Sequence, residues 1–414
     1  MKILVSAFAC DPYLGSENYF GWAAARALAR DHELWIMIHS RTADNLKRAT
    51  AEGLVPDNLH PVFVGSFTTW HPNRMRARFQ NWGEYMEFSK EILPRARELH
   101  AEVRFDVVHH VTFATWRVAS PLGQLGIPFV FGPVGGFEQF PLHLLPILSP
   151  VAGAFELARA GSNLASRCSP GVRRCIQSAA HVMAANPDTK QLVTALRGSA
   201  RGVTELSPGF YTDLQIQNLS RFVPDKQVSG PLRVFAGGNL EGRKGVALAL
   251  EALAAAKKQG VKFQYRLGGQ GPELNHLKQL TSRLGLESDV IFGESLSGEA
   301  YYRELGNSHI FLLPSFRESC GLTMMEVMLA GGVPVVADCG GPSMIVTPEC
   351  GFKIPVASRR EMTRQLTETI IKLDRDRDAL LAMGRAASSR IRAHFSEDNY
   401  RHAVNSAYLA VCRK

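Results

Sequence analysis

His309–Ser343 reads HIFLLPSFRESCGLTMMEVMLAGGVPVVADCGGPS. Ile310–Leu313 is an apolar run with the length of a buried strand. Pro314 ends it, because proline has no N–H to give a sheet ladder. Ser315–Cys320 is a loop that holds Arg317 and Glu318. A Leu- and Met-rich helix is predicted from about Gly321 to Ala330, stopped by Gly331-Gly332, and Val333–Ala337 is the next buried strand. The pattern is a βαβ unit whose loop lies at the carboxyl ends of the strands, where open α/β sheets bind ligands. The first amides of that helix, at Gly321, Leu322 and Thr323, have no helical partner and can hold a phosphate. Glu318 in the loop and Glu326 in the helix stand with seven residues between them. Glu326 has Met324, Met325, Val327 and Met328 around it, so its carboxylate must find partners or shift its pKa.

The flanking sequence repeats the strand–loop–helix theme. Leu232–Ala236 is a strand leading into Gly237-Gly238-Asn239, and a helix starts near Gly245. Arg243 and Lys244 stand at that helix start, where cations oppose the helix dipole and call for an anion. A nucleotide diphosphate would supply it, with arginine binding in bidentate fashion. Phe263–Leu267 is a strand followed by Gly268-Gly269-Gln270-Gly271, and Val290–Gly293 is another. Arg360–Phe395 reads as two helices. A last helix capped by Ser396 carries an apolar stripe at Tyr400, Val404, Tyr408 and Val411.

The first half opens with a strand at Lys2–Ala9, a loop Cys10–Asn18 containing Gly15-Ser16-Glu17, a helix Tyr19–Arg30 and a strand Leu34–His39. This opening is Rossmann-like but lacks G-x-G-x-x-G, which argues against a dinucleotide dehydrogenase. Phe63–Gly65 looks like another strand end. Thr68–His100 is helical in tendency, with Trp70, Trp82, Arg74, Arg76 and Arg78. Those residues suit a membrane surface or an acceptor phosphate, but Glu84, Glu87, Glu91, Glu98 and Glu102 dilute the basic face and favour an ordinary amphipathic helix. Phe105–Val111, FDVVHHV, is a strand with His109 and His110 near its carboxyl end. Ile127–Phe131 is a strand before the loop Gly132-Pro133-Val134-Gly135-Gly136, whose glycines permit close backbone approach. Proline-broken helices and loops follow to Ser178. Then come a strand Ala180–Ala184, a helix to about Leu196 and a strand near Thr204–Ser207. Tyr211–Gly230 reads as a polar linker.

The 414 residues suggest two or three domains, and a 45% apolar content allows full cores. Mean hydropathy of −0.07 suits a soluble globular chain. The net charge of +9 and pI near 9.3 attract anions of any kind without choosing among them. Seven cysteines, an odd count with no C-x-x-C pair, argue against a disulfide framework or a structural zinc site and fit a reducing cytosol. The start MKILVSAFACDP reads as a strand rather than a signal peptide, and no run of about 18 apolar residues predicts a membrane span. The expectation is a cytoplasmic protein, free or at the inner face of the membrane.

The Glu-x7-Glu stretch resembles the signature of retaining glycosyltransferases of GT-B fold, family 4 (glycosyl transferases group 1). The match runs through Pro314-Ser315, Gly321-Leu322, Ala330-Gly331, Pro334-Val335-Val336-Ala337 and Gly340-Gly341. The resemblance implies two Rossmann-like α/β domains facing a cleft: residues 1–228 on the acceptor side, 229–390 binding nucleotide sugar, and a crossover helix in 391–414. It implies transfer of a sugar from a nucleotide-diphosphate donor, a UDP- or GDP-sugar, to a hydroxyl of a glycan, a glycolipid or a small molecule, with no other cofactor. Donor contacts fall on Gly15, Gly238, Asn239, Arg243, Lys244, Gly269, Glu318, Cys320, Gly321, Leu322, Thr323 and Glu326. Lys244 and Arg243 neutralise the leaving diphosphate, Glu318 orients the sugar, and Glu326 accepts the ribose hydroxyls. Relatives place backbone near Ser295–Ser297 against the nucleobase. Asp106–His109 match the family's Asp-h-h-His pattern, so His109 is the residue expected beside the sugar, with His110 in reserve. Two departures stand out: Asn239 replaces the usual arginine, with Arg243 beside Lys244 instead, and Val111 replaces a second histidine. No DxD-type metal site is visible and no carboxylate is assigned as nucleophile. The competing readings are a silent nucleotide-sugar-binding subunit and another sugar-nucleotide enzyme of the same fold. Nucleic acid is not expected as a partner, since no recognised binding motif accompanies the charge.

Overall fold

Among the described residues the apolar runs become thirteen strands in two parallel sheets. The computed structural model describes residues 1–68, 74–223, 226, 229–293 and 296–413. The chain divides into two compact units, one of Met1–Phe137, Asn163–Pro208 and Glu397–Lys414, the other of Glu138–Ser162 and Gly209–Ser396.

In the first unit the strands are β1 (Lys2–Ala7), β2 (Glu33–His39), β3 (Leu59–Val64), β4 (Val107–Thr112), β5 (Phe129–Val134), β6 (His181–Ala184) and β7 (Val203–Glu205). They lie in the order β3-β2-β1-β4-β5-β6-β7. The chain direction of travel reverses between β1 and β4, where Ile3 pairs with Val107 and Val5 with His109. Every residue of β4 and β5 is buried, as expected of central strands covered on both faces. The last helix, Glu397–Cys412, belongs to this unit and buries Tyr400, Val404, Tyr408 and Val411, the stripe read from the sequence. Arg401 clamps Asp31 with two bonds of 2.7 Å from one guanidinium nitrogen.

The second unit holds β8 (Leu232–Gly237), β9 (Phe263–Gly268), β10 (Val290–Gly293), β11 (Ile310–Leu312), β12 (Val333–Ala337) and β13 (Phe352–Ile354), in the order β10-β9-β8-β11-β12-β13. Its reversal point lies between β8 and β11, where Phe311 pairs with Phe235. The helix Leu322–Leu329 is buried along Met324, Met325, Val327, Met328 and Leu329. The sheets match the expected α/β class of two Rossmann-like units.

Some expectations shift. Residues Tyr211–Gly230 are not a plain linker: Asp213–Ser220 is helical, closed by a reciprocal capping box between Thr212 and Gln215. Ile216 and Leu219 from it enter the second unit's core. The second unit takes in Glu138–Ser162 as well as the stretch Gly209–Ser396, where the expected span was 229–390. The boundary expected near Val228 lies outside the described residues, as do Trp70, Ser295 and the side chains of Arg74, Arg76 and Arg78. The expected loop at Gly132-Pro133-Val134 is instead the end of β5. Gly132 has φ 136°, and a Cβ there would stand 2.2 Å from the Met183 carbonyl oxygen, so its close approach serves β6 and not a ligand.

Candidate functional site

The loops beyond β8 and β11 meet through an ion pair. After β8 the chain turns through Gly238 and the exposed Asn239, then a short 3-10 turn over Gly242–Lys244. Gly245 follows at φ 67°, and a Cβ there would lie 2.3 Å from the Pro314 carbonyl oxygen. Only glycine lets this turn press against the end of β11. The result is that Lys244 Nζ donates to Glu318 Oε2, in the loop after β11. Arg243 lies 3.7 Å from the same carboxylate oxygen, donates from Nε to Glu241 at 2.6 Å, and holds the Arg317 carbonyl at 2.5 Å. Burial pushes the Arg243 guanidinium down, but Glu318, Glu241 and Glu156 outweigh it and hold the group above its ordinary value. The Gly341 amide donates to the Glu318 carbonyl at 2.8 Å, which pins the loop from the other side.

The helix Leu322–Leu329 starts from Gly321 at φ 89°, with no side chain capping it. Its first amides are therefore donors without helical partners, at the end of the loop that holds Glu318. Cys320 is buried just before it, and a Cβ added to Gly237 at the end of β8 would lie 3.2 Å from Thr323 Cγ2. Glu326, half-buried one turn further on, accepts the Tyr301 hydroxyl at 2.5 Å. Burial pushes its carboxyl up to about 7, against the opposing pull of that hydrogen bond. Gly269 follows β9, its amide 3.2 Å from the Gly293 carbonyl oxygen. Arg243, Lys244, Gly238, Gly269, Glu318, Gly321–Thr323 and Glu326 thus all belong to one unit, on or just beyond the carboxyl ends of its central strands.

The two first-unit candidates fare differently. Gly15 lies in the exposed loop after β1, with open space where a Cβ would go. His109 is fully buried in β4. Its Nε2 faces the Gly132 carbonyl at 2.7 Å, which only accepts, so Nε2 carries the proton. Nδ1 then accepts from the Tyr408 hydroxyl at 2.6 Å. Burial pushes the imidazole down to about 3, consistent with a neutral ring. Both ring nitrogens are thus hydrogen-bonded within the first unit. His110 is also fully buried, near Ser120 at 3.1 Å, and burial pushes it down to about 4.

Sequence reasoning missed the contribution of Glu138–Ser162, which packs with the second unit. Arg317 donates to Glu156 at 2.9 Å, and Ser319 donates to Glu138 at 3.0 Å, on either side of Glu318. Ser149 donates to Glu273 at 2.5 Å, and Phe140 meets Phe316 edge-on at 5.0 Å. Prolines at 141, 146 and 150 hid this order, and a lone glutamate reads as solvated. Among the described residues no group of His, Cys, Asp or Glu is placed to hold a metal ion.

Residues 220–390 match a family model described as glycosyl transferases group 1. A putative colanic acid biosynthesis glycosyltransferase of Escherichia coli K12, WcaL, is 30% identical over 169 residues, 38% of this chain and 41% of that one. The aligned stretch spans about two-fifths of the curated relatives it matches first. Among solved structures, Anabaena HepE in complex with UDP-glucose matches with a TM-score of 0.62 at 16% identity, covering 99% of this chain and 100% of that one. The catalytic domain of starch synthase IV from Arabidopsis thaliana, bound to ADP and acarbose, matches with a TM-score of 0.63 at 15% identity, covering 100% and 99%. At such identities the structural likeness speaks to fold, and the fold is GT-B. The Glu-x7-Glu loop and helix lie inside the residues that match the glycosyl transferases group 1.

Proposed function

We propose that the protein is a retaining glycosyltransferase that moves a sugar from a nucleoside-diphosphate donor to an acceptor hydroxyl. The observation that carries this is the convergence of Lys244 and Arg243 with Glu318 across the β8–β11 reversal point. As the bond from the anomeric carbon to the diphosphate oxygen breaks and the acceptor oxygen bonds to that carbon, giving up its proton to the departing phosphate oxygen, negative charge grows on the diphosphate. Lys244, Arg243 and the amides of Gly321–Thr323 are donors gathered for that charge. Glu318 takes sugar hydroxyls and orients the ring. Glu326 accepts the ribose hydroxyls, with Tyr301 as its second-rank partner. Support for a nucleotide-sugar donor comes from the similar folds of HepE, in complex with UDP-glucose, and starch synthase IV, bound to ADP. The acceptor is a glycan, a glycolipid or a small molecule.

A panel of nucleoside diphosphates and their sugars in thermal melts tests the donor site, because a ligand raises the melting temperature by mass action. The matching nucleotide should shift the wild type and leave Arg243→Ala/Lys244→Ala unmoved. No shift with any of them removes the reading. A second reading, a subunit that binds nucleotide sugar without transferring it, is favoured by the engaged ring of His109. Slow hydrolysis of the stabilising donor, or transfer to a supplied glycan or lipid, decides for the enzyme.

A further inference from the structure

The carboxyl ends of β8, β9 and β10 lie level, and each is a glycine. Gly237 pairs with Gly268, and Gly268 with Gly293. Residues aligned across neighbouring strands share a face, so the three leave a bare strip there. A Cβ at Gly237 would stand 3.2 Å from Thr323 Cγ2, one at Gly268 3.6 Å from Phe235 Cε2, and one at Gly293 3.2 Å from Arg266 Nη2. The Phe235 ring meets Tyr301 edge-on at 6.4 Å, and Tyr301 holds Glu326. The strip therefore leads from the helix start at Gly321–Thr323, alongside the Tyr301–Glu326 pair, to the Arg266 guanidinium. Two inter-strand steps of about 4.8 Å separate its ends, the scale on which a nucleotide extends from diphosphate to base. Arg266 stands opposite Ile291 in the ladder, yet its Nη2 comes level with Gly293, two residues nearer the carboxyl end. Glu304, on the helix Gly298–Asn307 one turn after Tyr301, keeps its carboxylate 3.6 Å from Arg266 Nε. That lies beyond hydrogen-bond range, and Nε is buried with no hydrogen-bond partner among the described residues.

We propose that Arg266 selects the nucleobase of the donor, admitting bases that carry an oxo group where cytosine and adenine carry their amino group. The inference rests on the donor site proposed above and deepens it. A guanidinium has donors and no acceptor. A base carbonyl beside it accepts a charge-assisted hydrogen bond, whereas an amino group in the same place sets donor against donor and leaves both unpaired. Uracil offers the fork one oxo oxygen on that edge. Guanine offers its oxo oxygen together with the neighbouring ring nitrogen, the pair that arginine binds in bidentate fashion. Glu304 steadies the guanidinium from the Nε side, so the terminal nitrogens are the ones turned to the strip. The glycine ends matter for the same reason, because a side chain at Gly268 or Gly293 would stand between the base and the arginine.

Calorimetric titration of the full chain with nucleotide pairs that exchange the oxo group for an amino group tests it. The pairs are UDP against CDP and inosine diphosphate against ADP, with GDP beside them. The wild type should bind the oxo member of its preferred pair about tenfold or more tightly. Whether UDP or GDP binds better tells a pyrimidine donor from a purine one. Arg266→Gln should bring the two members of that pair to nearly equal affinity, since its amide both donates and accepts. Arg266→Leu, which offers neither, should level them as well. Each ratio is read on one sample, so partial unfolding of a variant lowers the number of sites and leaves the ratio intact. Equal affinities in the wild type, tighter binding of CDP or ADP, or a preference that survives both substitutions would overturn the inference and leave the donor site standing. Failure of every nucleotide to bind would remove the donor site, and the inference with it.

Discussion

The two sheets share one strand order and differ in what they put at the reversal point. In the second unit the singled-out residues stand on loops beyond the strand ends, where Arg243, Lys244 and Glu318 keep between 11% and 20% of their side chains exposed. In the first unit they stand inside β4, where His109 and His110 are fully buried. The first arrangement leaves charged groups able to exchange one partner for another. The second locks a neutral imidazole between Gly132 and Tyr408. A shared topology therefore offers a place for a ligand, and the position of a side chain relative to the strand end decides whether it can meet one.

The largest expected effect breaks this comparison if it fails. Lys244→Met should lower kcat/KM for the nucleotide-sugar donor by about 100-fold or more, since a preorganised donor to developing charge is worth that much. Urea melts of the same variant should stay close to wild type. His109→Ala should do the reverse. It strips partners from the Tyr408 hydroxyl and the Gly132 carbonyl and opens a cavity, which costs about 3 kcal/mol in urea unfolding of the first unit. Donor affinity should be unchanged in the folded fraction. A His109→Ala protein that melts like wild type but loses transfer would restore the histidine to the chemistry.

How far the sequence told these regions apart depends on the kind of signal. The βαβ frame of Ile310–Ala337 was legible because its strands are short apolar runs and Pro314 and Gly331 mark the breaks. The final helix was legible from Tyr400, Val404, Tyr408 and Val411. The partner of His109 was not: an Asp-h-h-His pattern says where a histidine stands, and Tyr408 reaches its ring from 299 residues away. Helix Asp213–Ser220 was hidden because it buries only Ile216 and Leu219, although Thr212 and Gln215 spell its capping box. Glu138–Ser162 was illegible for a third reason, since its partners, Ser319, Arg317 and Glu273, all lie more than a hundred residues further on.

A middle-sized effect comes from pH. Burial keeps Glu326 protonated up to about 7, while the unfolded chain ionises it near 4.5. Between those values the folded state holds the extra proton, so this group's contribution to stability falls as pH rises through the window. Donor binding runs the other way, because ribose hydroxyls need the carboxylate as acceptor. Affinity for the nucleoside diphosphate should rise about tenfold from pH 6 to pH 8, following ionisation of one group. Glu326→Gln should flatten the profile. Tyr301→Phe removes the bond that favours the ionised form, so its midpoint should move up. A wild-type profile that is flat, or that survives Glu326→Gln, takes Glu326 out of the ribose role.

The smallest effect sharpens the comparison most, because it concerns a residue with no place in the motif. Glu156→Gln keeps a hydrogen-bond acceptor for Arg317 but removes the charge. Burial and the neighbouring Arg243 already push the Arg317 guanidinium down, and Glu156 opposes both. Without that charge the loop Ser315–Cys320 loosens around Glu318, and the cost should be about 1 kcal/mol, near a fivefold rise in the donor KM. The value of kcat should hold, because Glu156 touches Arg317 and not the reacting atoms. A variant that merely unfolds part of the second unit would lower the active fraction, and with it kcat, at an unchanged KM. Glu156→Ala, which leaves Arg317 with no acceptor there, should raise KM further than Glu156→Gln. That ordering would assign Glu156 to positioning the charged loop, a task with no counterpart at the first unit's closed histidine.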